Sequence, residues 1–231
     1  MSLETLKKVL YSGVWGTIGP YSLKAAELLA KLKGANHCLL THSAGAALEV
    51  TLRAVGTYHG DGVIVPAAGA RIVRLSPNLT GAQPVICGKD AGKVCLADIK
   101  EAVDTNPSVK CAVLDYETVC ELGKIYEYLK SAGVTFILWA GGRLLGDCRG
   151  EYADAVIYSF AEGADIYAGN AGALVTDSKS LFDRAYAAHN CGRTLGEGAT
   201  LNVDEAIGGN RRITEWQAAL IYDELVKLTK D

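Results

Sequence analysis

Short apolar runs alternate with helical patterns along the chain, and this alternation constrains the fold more than any other feature. Strands covered by helices on both faces read as continuous apolar runs, whereas a helix repeats apolar residues every three or four positions. Seven runs fit strands, at residues 37–41, 62–66, 83–87, 111–115, 135–139, 155–160 and 171–176. The sequence therefore predicts an α/β three-layer sandwich around one mainly parallel seven-stranded sheet.

Helical patterns fill the intervals between these runs. Residues 21–33 repeat apolar positions at helical spacing and stop at Gly34, where glycine can take the left-handed end conformation. Further helices are predicted after Ser43 and at residues 96–104, 122–132, 180–191 and 214–230, the last capped by Thr214. Residues 192–209 are the only long stretch without clear periodicity, which is typical of a functional or mobile loop, and the acidic part of this stretch is predicted to be a mobile loop or a dimer contact.

Composition places the chain among ordinary globular proteins and excludes two classes of partner. Its 231 residues are 49% hydrophobic, enough to bury a core as a single large domain. The 23 basic and 26 acidic side chains form no block of like charge, so binding to nucleic acid or to an anionic membrane is not expected. No apolar segment reaches the length of a signal or of a membrane span, which predicts a cytoplasmic protein.

The cysteines and histidines do not indicate a metal site. Seven cysteines are scattered without a C-x-x-C pair and lie mostly in apolar runs, which predicts reduced, buried thiols. The histidines have no second histidine or carboxylate at ligand spacing. These residues are Cys38, Cys87, Cys95, Cys111, Cys120, Cys148, Cys191, His37, His42, His59 and His189. Only His42, beside the turn described next, is a candidate for a functional role.

Two segments indicate anion binding. In THSAGAALEV a strand ends and a helix begins with small residues at Ser43, Ala44 and Gly45. Small residues let an anionic group approach the backbone N–H groups, and the helix dipole favours a phosphate there, although tight packing of strand against helix explains the same residues. In GGNRRITEWQAAL, the residues Asn210, Arg211 and Arg212 precede an apolar helix. Arginine there can grip a phosphate or carboxylate in fork geometry, or be a solvated helix start.

A third group of polar residues follows the fourth predicted strand. Asp115, Tyr116 and Glu117 stand where open α/β sheets bind ligands, but solvated loop carboxylates are the simpler interpretation. Three isolated basic residues are assigned to the surface, namely Arg143, Arg149 and Arg193.

The order of short motifs resembles the DegT and StrS family of sugar aminotransferases, including relatives that make aminohydroxybenzoate. The resemblance runs collinearly from residue 12 to residue 225 through SGVWGTIGP, HSAGAAL, GDGVIVPAAGA, GAQPV, GVTFILWAGG, ADAVIYSF, AGNAGALVT and GGNRRITEWQAAL. No single string is diagnostic, but eight in the same order are specific. The resemblance implies the large domain of fold type I pyridoxal-phosphate enzymes, with a seven-stranded mixed sheet.

Carried over position by position, the resemblance implies that the reaction centre is lost. The position of the family's Schiff-base lysine is Ala164, and no lysine occurs between Lys130 and Lys179. A transaminase needs that amine to hold the cofactor and to move a proton. The acidic residue that pairs with the pyridine nitrogen corresponds to Trp139, and the family's glutamine and ring-stacking aromatic correspond to Gly142 and Ala70. Trp139 either fills the ring space or lines it.

The same resemblance implies that the phosphate end of the pocket is retained. The helix start at Ala44 and Gly45, together with Ser159, matches the phosphate-binding elements. Asn210 and Arg212 match residues that, in the family, reach the neighbouring subunit's site across a dimer. The implied assembly is a homodimer, and the implied ligand is a small phosphorylated or nucleotide-linked sugar.

Three functions follow from this pattern. The first is a catalytically silent aminotransferase homologue without covalently bound cofactor, in which weak non-covalent binding of pyridoxal phosphate stays open. The second is an active enzyme on a sugar or other small ketone, either pyridoxal-dependent through another lysine or using Asp115, Glu117 or His42. The third is a non-catalytic subunit that lends Asn210 and Arg212 to a complete aminotransferase. Family members continue into a smaller C-terminal domain, which this 231-residue sequence is expected to lack.

Overall fold

The computed structural model describes residues 3–16, 18–88, 93–145, 150–194 and 208–229. The seven predicted strands are all present, and they are β1 His37–Thr41, β2 Gly62–Pro66, β3 Gln83–Cys87, β4 Val109–Asp115, β5 Thr135–Gly141, β6 Ala155–Ser159 and β7 Gly172–Thr176. The first three match their predicted bounds, and the others differ by one or two residues at an end. The mainly parallel sheet of seven strands is confirmed.

The described part of the chain contains eight α-helices. They are α1 Leu3–Ser12, α2 Pro20–Lys33, α3 Ala44–Val55, α4 Arg71–Leu75, α5 Leu96–Thr105, α6 Leu122–Ser131, α7 Lys179–His189 and α8 Glu215–Leu228, with 3-10 turns at Ser76–Leu79 and Gly150–Tyr152. Helices α1 and α4 were not predicted. α4 is only five residues long, too short for a sustained apolar stripe, whereas α1 carries Leu3, Leu6 and Leu10 at helical spacing, a signal that the prediction missed.

The sheet has the strand order β1-β7-β6-β5-β4-β2-β3. β7 runs antiparallel to both of its neighbours, whereas all other adjacent strands are parallel. Six of the seven strands therefore end at the same edge. This carboxyl edge is where an open α/β sheet presents its loops to a ligand.

Helices cover both faces of the sheet, which gives the three predicted layers. Alternate residues of β5 enter different apolar cores: Phe136 and Leu138 belong to one, and Ile137 and Trp139 belong to the other. The first core includes side chains of α2, α5, α6 and α8, and the second includes side chains of α3 and α7. The parallel strands are thus apolar on both faces, as their continuous runs indicated.

Local signals account for the helix ends that position the site. The Ser43 hydroxyl accepts a hydrogen bond from the Ala46 N–H and caps α3, and the Thr214 hydroxyl caps α8 in the same way through the Gln217 N–H. α2 ends at Gly34, whose φ of 64° lies in the left-handed region. The predicted roles of Thr214 and Gly34 are confirmed.

The predicted burial of the cysteines is only partly right. Cys38, Cys87 and Cys111 are buried, and burial raises the pKa of each thiol, to about 12 for Cys87. Three other cysteines are half-buried, because they lie at the ends of elements rather than inside them: Cys95, Cys120 and Cys191. Cys148, Arg149 and most of the stretch 192–209 lie outside the described residues. None of the described helices combines the length and apolarity needed to cross a membrane.

Candidate functional site

A pocket of about 560 Å³ opens at the carboxyl edge of the sheet, between the start of α3 and the ends of β5 and β6. It is lined by His42, Ser43, Ala44, Gly45, Ile72, Trp139, Ser159, Ala161, Asn170 and Gln217. The structure therefore brings together six of the residues nominated from sequence, and these are His42, Ser43, Ala44, Gly45, Trp139 and Ser159.

Backbone donors at the start of α3 face this pocket. The N–H groups of Ala44 and Gly45 have no hydrogen-bond partner within the described part of the chain. The first turn of a helix cannot satisfy its own N–H groups, and its dipole favours negative charge. Tight packing is present as well: a Cβ built on Gly172 would lie 2.4 Å from the Ala44 backbone nitrogen. The packing interpretation of the small residues is thus correct, and anion binding at this turn stays a prediction.

Neutral polar side chains complete the lining. Ser159 ends β6, and its Oγ accepts a hydrogen bond of 3.3 Å from the Ala161 N–H, which leaves the hydroxyl proton free to donate. The amides of Asn170 and Gln217 add further donors. Among the described residues that line the pocket, none carries a carboxylate, an ammonium or a guanidinium group. Apart from the imidazole of His42, the described lining therefore presents N–H and O–H groups without a formal charge, which suits an oxyanion.

Trp139 lines this pocket rather than being sealed off from it. Its side chain packs in the core beneath α3, and the residue keeps 8% of its surface exposed. A Cβ built on Gly141 would lie 3.1 Å from the indole Nε1, so the absence of a side chain there leaves the indole nitrogen uncovered.

The other ring-side positions do not line the pocket. Ala164 lies against Gly142, where a built Cβ would be 2.7 Å from the Ala164 Cα, so position 142 has no room for a side chain. The Ala70 N–H donates a 2.7 Å hydrogen bond to the Asp115 carboxylate at the start of α4. Ile72, two residues further along, provides the apolar wall instead.

The interpretation of Asp115 as a solvated loop carboxylate is wrong. Asp115 is 5% exposed, because the turn after β2 folds over it. Its carboxylate accepts hydrogen bonds from the N–H groups of Ala70 and Glu117, so it fixes the loop rather than facing a substrate. Glu117 is exposed and forms an ion pair with the exposed Arg143, so the solvated interpretation holds for Glu117. Arg193 is exposed, as predicted.

The three residues before α8 divide into two roles. The guanidinium of Arg211 grips the carboxylate of Glu49 in fork geometry, with its Nε 2.7 Å from Oε2 and a terminal nitrogen 3.0 Å from Oε1. It thus binds a carboxylate of its own chain. Asn210 is exposed, and its side-chain oxygen accepts a 2.9 Å hydrogen bond from the Arg212 Nε. Neither Asn210 nor Arg212 lines the pocket.

The four histidines lie in different surroundings. His42 lines the pocket. His37 stacks on Phe182 with ring centroids 4.9 Å apart, and His59 is exposed. Burial lowers the pKa of His189 to about 4, so this imidazole is neutral at physiological pH, and its Nδ1 contacts the Tyr186 carbonyl oxygen. His42 is the one histidine of the described structure that faces the site.

The Arg211–Glu49 pair predicts an acid-sensitive contribution to stability. Burial raises the pKa of Glu49, but Arg211 and Arg53 outweigh this effect and hold the pKa below its ordinary value. A carboxyl group with a lowered pKa stabilises the fold above its unfolded-state pKa of about 4.3, and this contribution is lost as the pH falls through the folded-state pKa. E49Q is therefore expected to lose about 1–2 kcal/mol at pH 7.

The measurement is urea unfolding of the wild type and E49Q between pH 7 and pH 3. The difference in unfolding free energy should shrink as the solution becomes more acidic than the ordinary carboxyl range. A difference that is constant over this interval would contradict the assignment. E49Q alone leaves Arg211 without its partner. The double variant E49Q/R211Q removes both groups, so its comparison with E49Q separates the loss of the pair from the cost of the unpaired arginine.

Residues missed by sequence reasoning are Ile72, Ala161, Asn170 and Gln217. Asn170 lies in the quoted AGNAG motif directly before β7, and Gln217 lies in the first turn of α8. Their position at the ends of elements was a usable signal. Their convergence on one pocket could not be predicted from the sequence, because it depends on how β7 and α8 pack against β1 and α2.

Comparisons with known proteins agree with this architecture. The sequence model of the DegT/DnrJ/EryC1/StrS aminotransferase family matches residues 1–231. An L-glutamine:2-deoxy-scyllo-inosose aminotransferase of Micromonospora echinospora is 29% identical over an alignment of 245 positions, which covers 97% of this chain and 58% of that enzyme. The chain thus spans less than two thirds of the length of the curated relatives it matches.

Solved structures show the same fold. The crystal structure of 3-amino-5-hydroxybenzoic acid synthase has a TM-score of 0.86 at 23% identity, covering 98% of this chain and 61% of that one. NtdA of Bacillus subtilis, solved with the bound cofactor PMP, has a TM-score of 0.85 at 22% identity, covering 99% of this chain and 53% of that one. The expected fold, the large domain of fold type I pyridoxal-phosphate aminotransferases, is confirmed.

Proposed function

Because the chain belongs to the DegT/DnrJ/EryC1/StrS aminotransferase family, we propose that it is a catalytically silent homologue that keeps the anion-binding end of the family's cofactor pocket. The observation that carries the proposal is the composition of the pocket wall. One end offers the free N–H groups of Ala44 and Gly45 and the Ser159 hydroxyl. The described lining offers no amine that could form a covalent bond to a cofactor.

The residues present fit the phosphate of pyridoxal phosphate but not its ring. The phosphate end has donors without partners, and the helix dipole adds to their effect. At the ring end, the position that corresponds to the Schiff-base lysine is Ala164, packed against Gly142, and the position of the pyridine-pairing carboxylate is Trp139. An indole cannot accept the pyridinium proton, and alanine cannot carry the substrate proton. No reaction step is therefore assigned to pyridoxal phosphate here.

The first test measures covalent capture of the cofactor. Purified protein is mixed with pyridoxal phosphate, reduced with borohydride, digested and analysed by mass spectrometry. We expect no stoichiometric adduct at any single lysine, since no lysine occurs between Lys130 and Lys179. One lysine modified to completion, and protected by prior incubation with a phosphate ester, would overturn the proposal.

The second test measures the retained phosphate end. Calorimetric titration with glycerol 3-phosphate should show reversible binding that S159A weakens about tenfold, since a hydrogen bond to a charged group contributes about 1.5–3 kcal/mol. S12A is the matched control, because the hydroxyl of Ser12 bonds only to the nearby backbone, at the carbonyl oxygen of Val9 and the N–H of Val14. Equal affinity in S159A and S12A would contradict a phosphate role for Ser159.

We also propose a homodimer in which Asn210 and Arg212 serve the partner's pocket. The supporting observation is that this pair lies outside the pocket of its own chain, with Asn210 exposed and held by the Arg212 guanidinium. The same geometry suits a subunit that completes the site of an intact aminotransferase.

Complementation distinguishes these assemblies. Light scattering should give a dimer for the wild type. Mixing equal amounts of S159A and N210A/R212A should restore one intact site in each mixed dimer, which is about one site per four chains when the subunits exchange at random. Monomers in solution would exclude the homodimer, and co-purification with an intact family member would favour the mixed assembly.

An active enzyme is the weaker alternative. Of the three residues considered for other chemistry, Asp115 is committed to backbone hydrogen bonds and Glu117 to Arg143, and only His42 lines the pocket. Turnover of a sugar ketone that disappears in H42A would support this alternative over the silent homologue.

A further inference from the structure

The indole nitrogen of Trp139 is a hydrogen-bond donor without a protein acceptor. The residue is more than nine-tenths buried, yet its Nε1 has no hydrogen-bond partner within the described part of the chain. In that same part, no fully buried side-chain nitrogen or oxygen lacks a partner. The Trp139 Nε1 therefore retains access to solvent, and the pocket that the residue lines provides that access. A nearly buried N–H group without an acceptor lowers the stability of the fold unless water or a ligand accepts its hydrogen bond.

The residue next to this donor keeps it open. A Cβ on Gly141 would lie 3.1 Å from Nε1, so almost any side chain at that position would cover the N–H group. The φ of Gly141 is +59°, a backbone conformation that also favours glycine. The close contact and the positive φ thus both favour glycine at position 141, and glycine leaves the indole N–H accessible.

We infer that the Trp139 N–H donates a hydrogen bond to the organic part of a ligand whose phosphate lies at the start of α3, and that the ligand is a phosphate monoester of a polyol or sugar. This inference rests on the proposed retention of the phosphate end. The backbone N–H groups of Ala44 and Gly45 and the Ser159 hydroxyl are neutral donors at that end, and the indole N–H is a further donor at the ring end. A phosphate ester with a second pKa of about 6 is a dianion at neutral pH, so its oxygens can accept hydrogen bonds from the donors at the phosphate end.

The rest of the pocket indicates the organic part of the ligand. The pocket, at about 560 Å³, falls within the size range of small-molecule sites. Asn170 and Gln217 line it with amides, which can both donate to and accept from hydroxyl groups, and Ile72 and Ala161 add apolar surface. This combination suits a chain or ring of hydroxylated carbons attached to the phosphate.

The test observes the indole directly. Protein labelled with ¹⁵N-tryptophan has three indole N–H resonances, one each from Trp15, Trp139 and Trp216. W15F and W216F assign the other two; neither Trp15 nor Trp216 lines the pocket, and their rings pack against each other with centroids 6.3 Å apart. Adding glycerol 3-phosphate should move the Trp139 resonance downfield, since its N–H gains an acceptor from the ligand.

Affinity measurements complete the test. W139F removes the donor and should weaken glycerol 3-phosphate binding about threefold to tenfold, and G141A, which covers the N–H, should weaken it in the same direction. Inorganic phosphate should bind more weakly than the ester, because it leaves the amides without partners. The resonance measurement on the wild type does not depend on either variant folding.

The outcomes separate the two proposals. If no phosphate compound binds to the wild type, the proposed retention of the phosphate end is wrong, and this inference falls with it. If glycerol 3-phosphate binds and S159A weakens the binding, but the Trp139 resonance does not move, only the role of Trp139 is wrong. If inorganic phosphate binds as tightly as the ester, the assignment of a polyol phosphate is overturned.

Discussion

Replacing Glu215 with alanine is expected to lower the free energy of unfolding by about 3 kcal/mol or more, measured by urea denaturation. Glu215 begins α8 and is 0% exposed, yet its carboxylate caps a different helix. It accepts hydrogen bonds from the N–H groups of Tyr21 at 2.8 Å, Ser22 at 3.0 Å and Gly19 at 3.2 Å. The negative charge also lies at the positive end of α2.

The size of the effect follows from what alanine leaves behind. The Gly19 N–H keeps the Ser22 hydroxyl as an acceptor at 3.0 Å, but the N–H groups of Tyr21 and Ser22 lose theirs. Each unsatisfied buried donor costs about 1–3 kcal/mol, and the missing side chain adds a cavity. Because α2 and α8 pack against each other beside the site, the loss affects the fold as a whole.

Two variants control this prediction. E215Q keeps one acceptor oxygen but turns an NH₂ group toward a backbone donor, so it should lose an intermediate amount. E127A removes an exposed carboxylate of α6 and should change stability by less than about 0.5 kcal/mol. If E215A and E127A unfold at the same urea concentration, the buried cap does not contribute as described.

Replacing Gly172 with alanine is expected to damage both the fold and the proposed anion site. The added Cβ would lie 2.4 Å from both the backbone nitrogen and the Cα of Ala44. Backbone atoms cannot rotate away as a side-chain end can, so β7 or the start of α3 must move. Overpacking of this kind costs about 3 kcal/mol, near the upper end of its usual range. The displaced segment carries the N–H groups of Ala44 and Gly45, so phosphate-ester binding should be lost as well.

Two measurements check this result, namely the midpoint of urea unfolding and calorimetric titration with glycerol 3-phosphate. G16A is the matched control, because nothing lies within 4 Å of a Cβ built on Gly16. G45A is a second control, which adds a methyl group at the start of α3 without overpacking. Its Cβ would meet only ordinary contacts, the nearest at 3.6 Å, and alanine favours the helix. G45A should therefore be at least as stable as the wild type. A fully stable G172A that binds normally would show that strand and helix separate without cost.

The sequence predicted the elements well where a local signal existed. β1, β2 and β3 match their predicted bounds, and the cap at Thr214 is as expected, because periodicity and capping depend on neighbouring residues. α4 is too short to carry an apolar stripe, whereas the pattern of Leu3, Leu6 and Leu10 in α1 was a usable signal that the prediction missed.

For the site, the turn at the start of α3 and Ser159, both nominated from sequence, do line one pocket, but the charged residues around them were misjudged. Arg211 was a candidate for gripping a ligand, whereas it binds Glu49, 162 positions earlier in the chain. Asp115 was assigned to solvent, whereas Ala70, 45 positions away, covers it and donates to it. Nothing local distinguishes a carboxylate that faces water from one that a distant loop will bury.

Taken alone, the sequence determined the α/β alternation, the small residues at the start of α3 and the stretch without lysine from residue 131 to residue 178. The tertiary structure decided which side chains meet. It placed Trp139 in the pocket wall, brought Asn170 and Gln217 to the same pocket, and aimed the Glu215 carboxylate at α2. The physical reason is that periodicity records which face of an element is buried, whereas a pocket depends on pairings between elements far apart in the chain, which hydrophobic patterning does not encode.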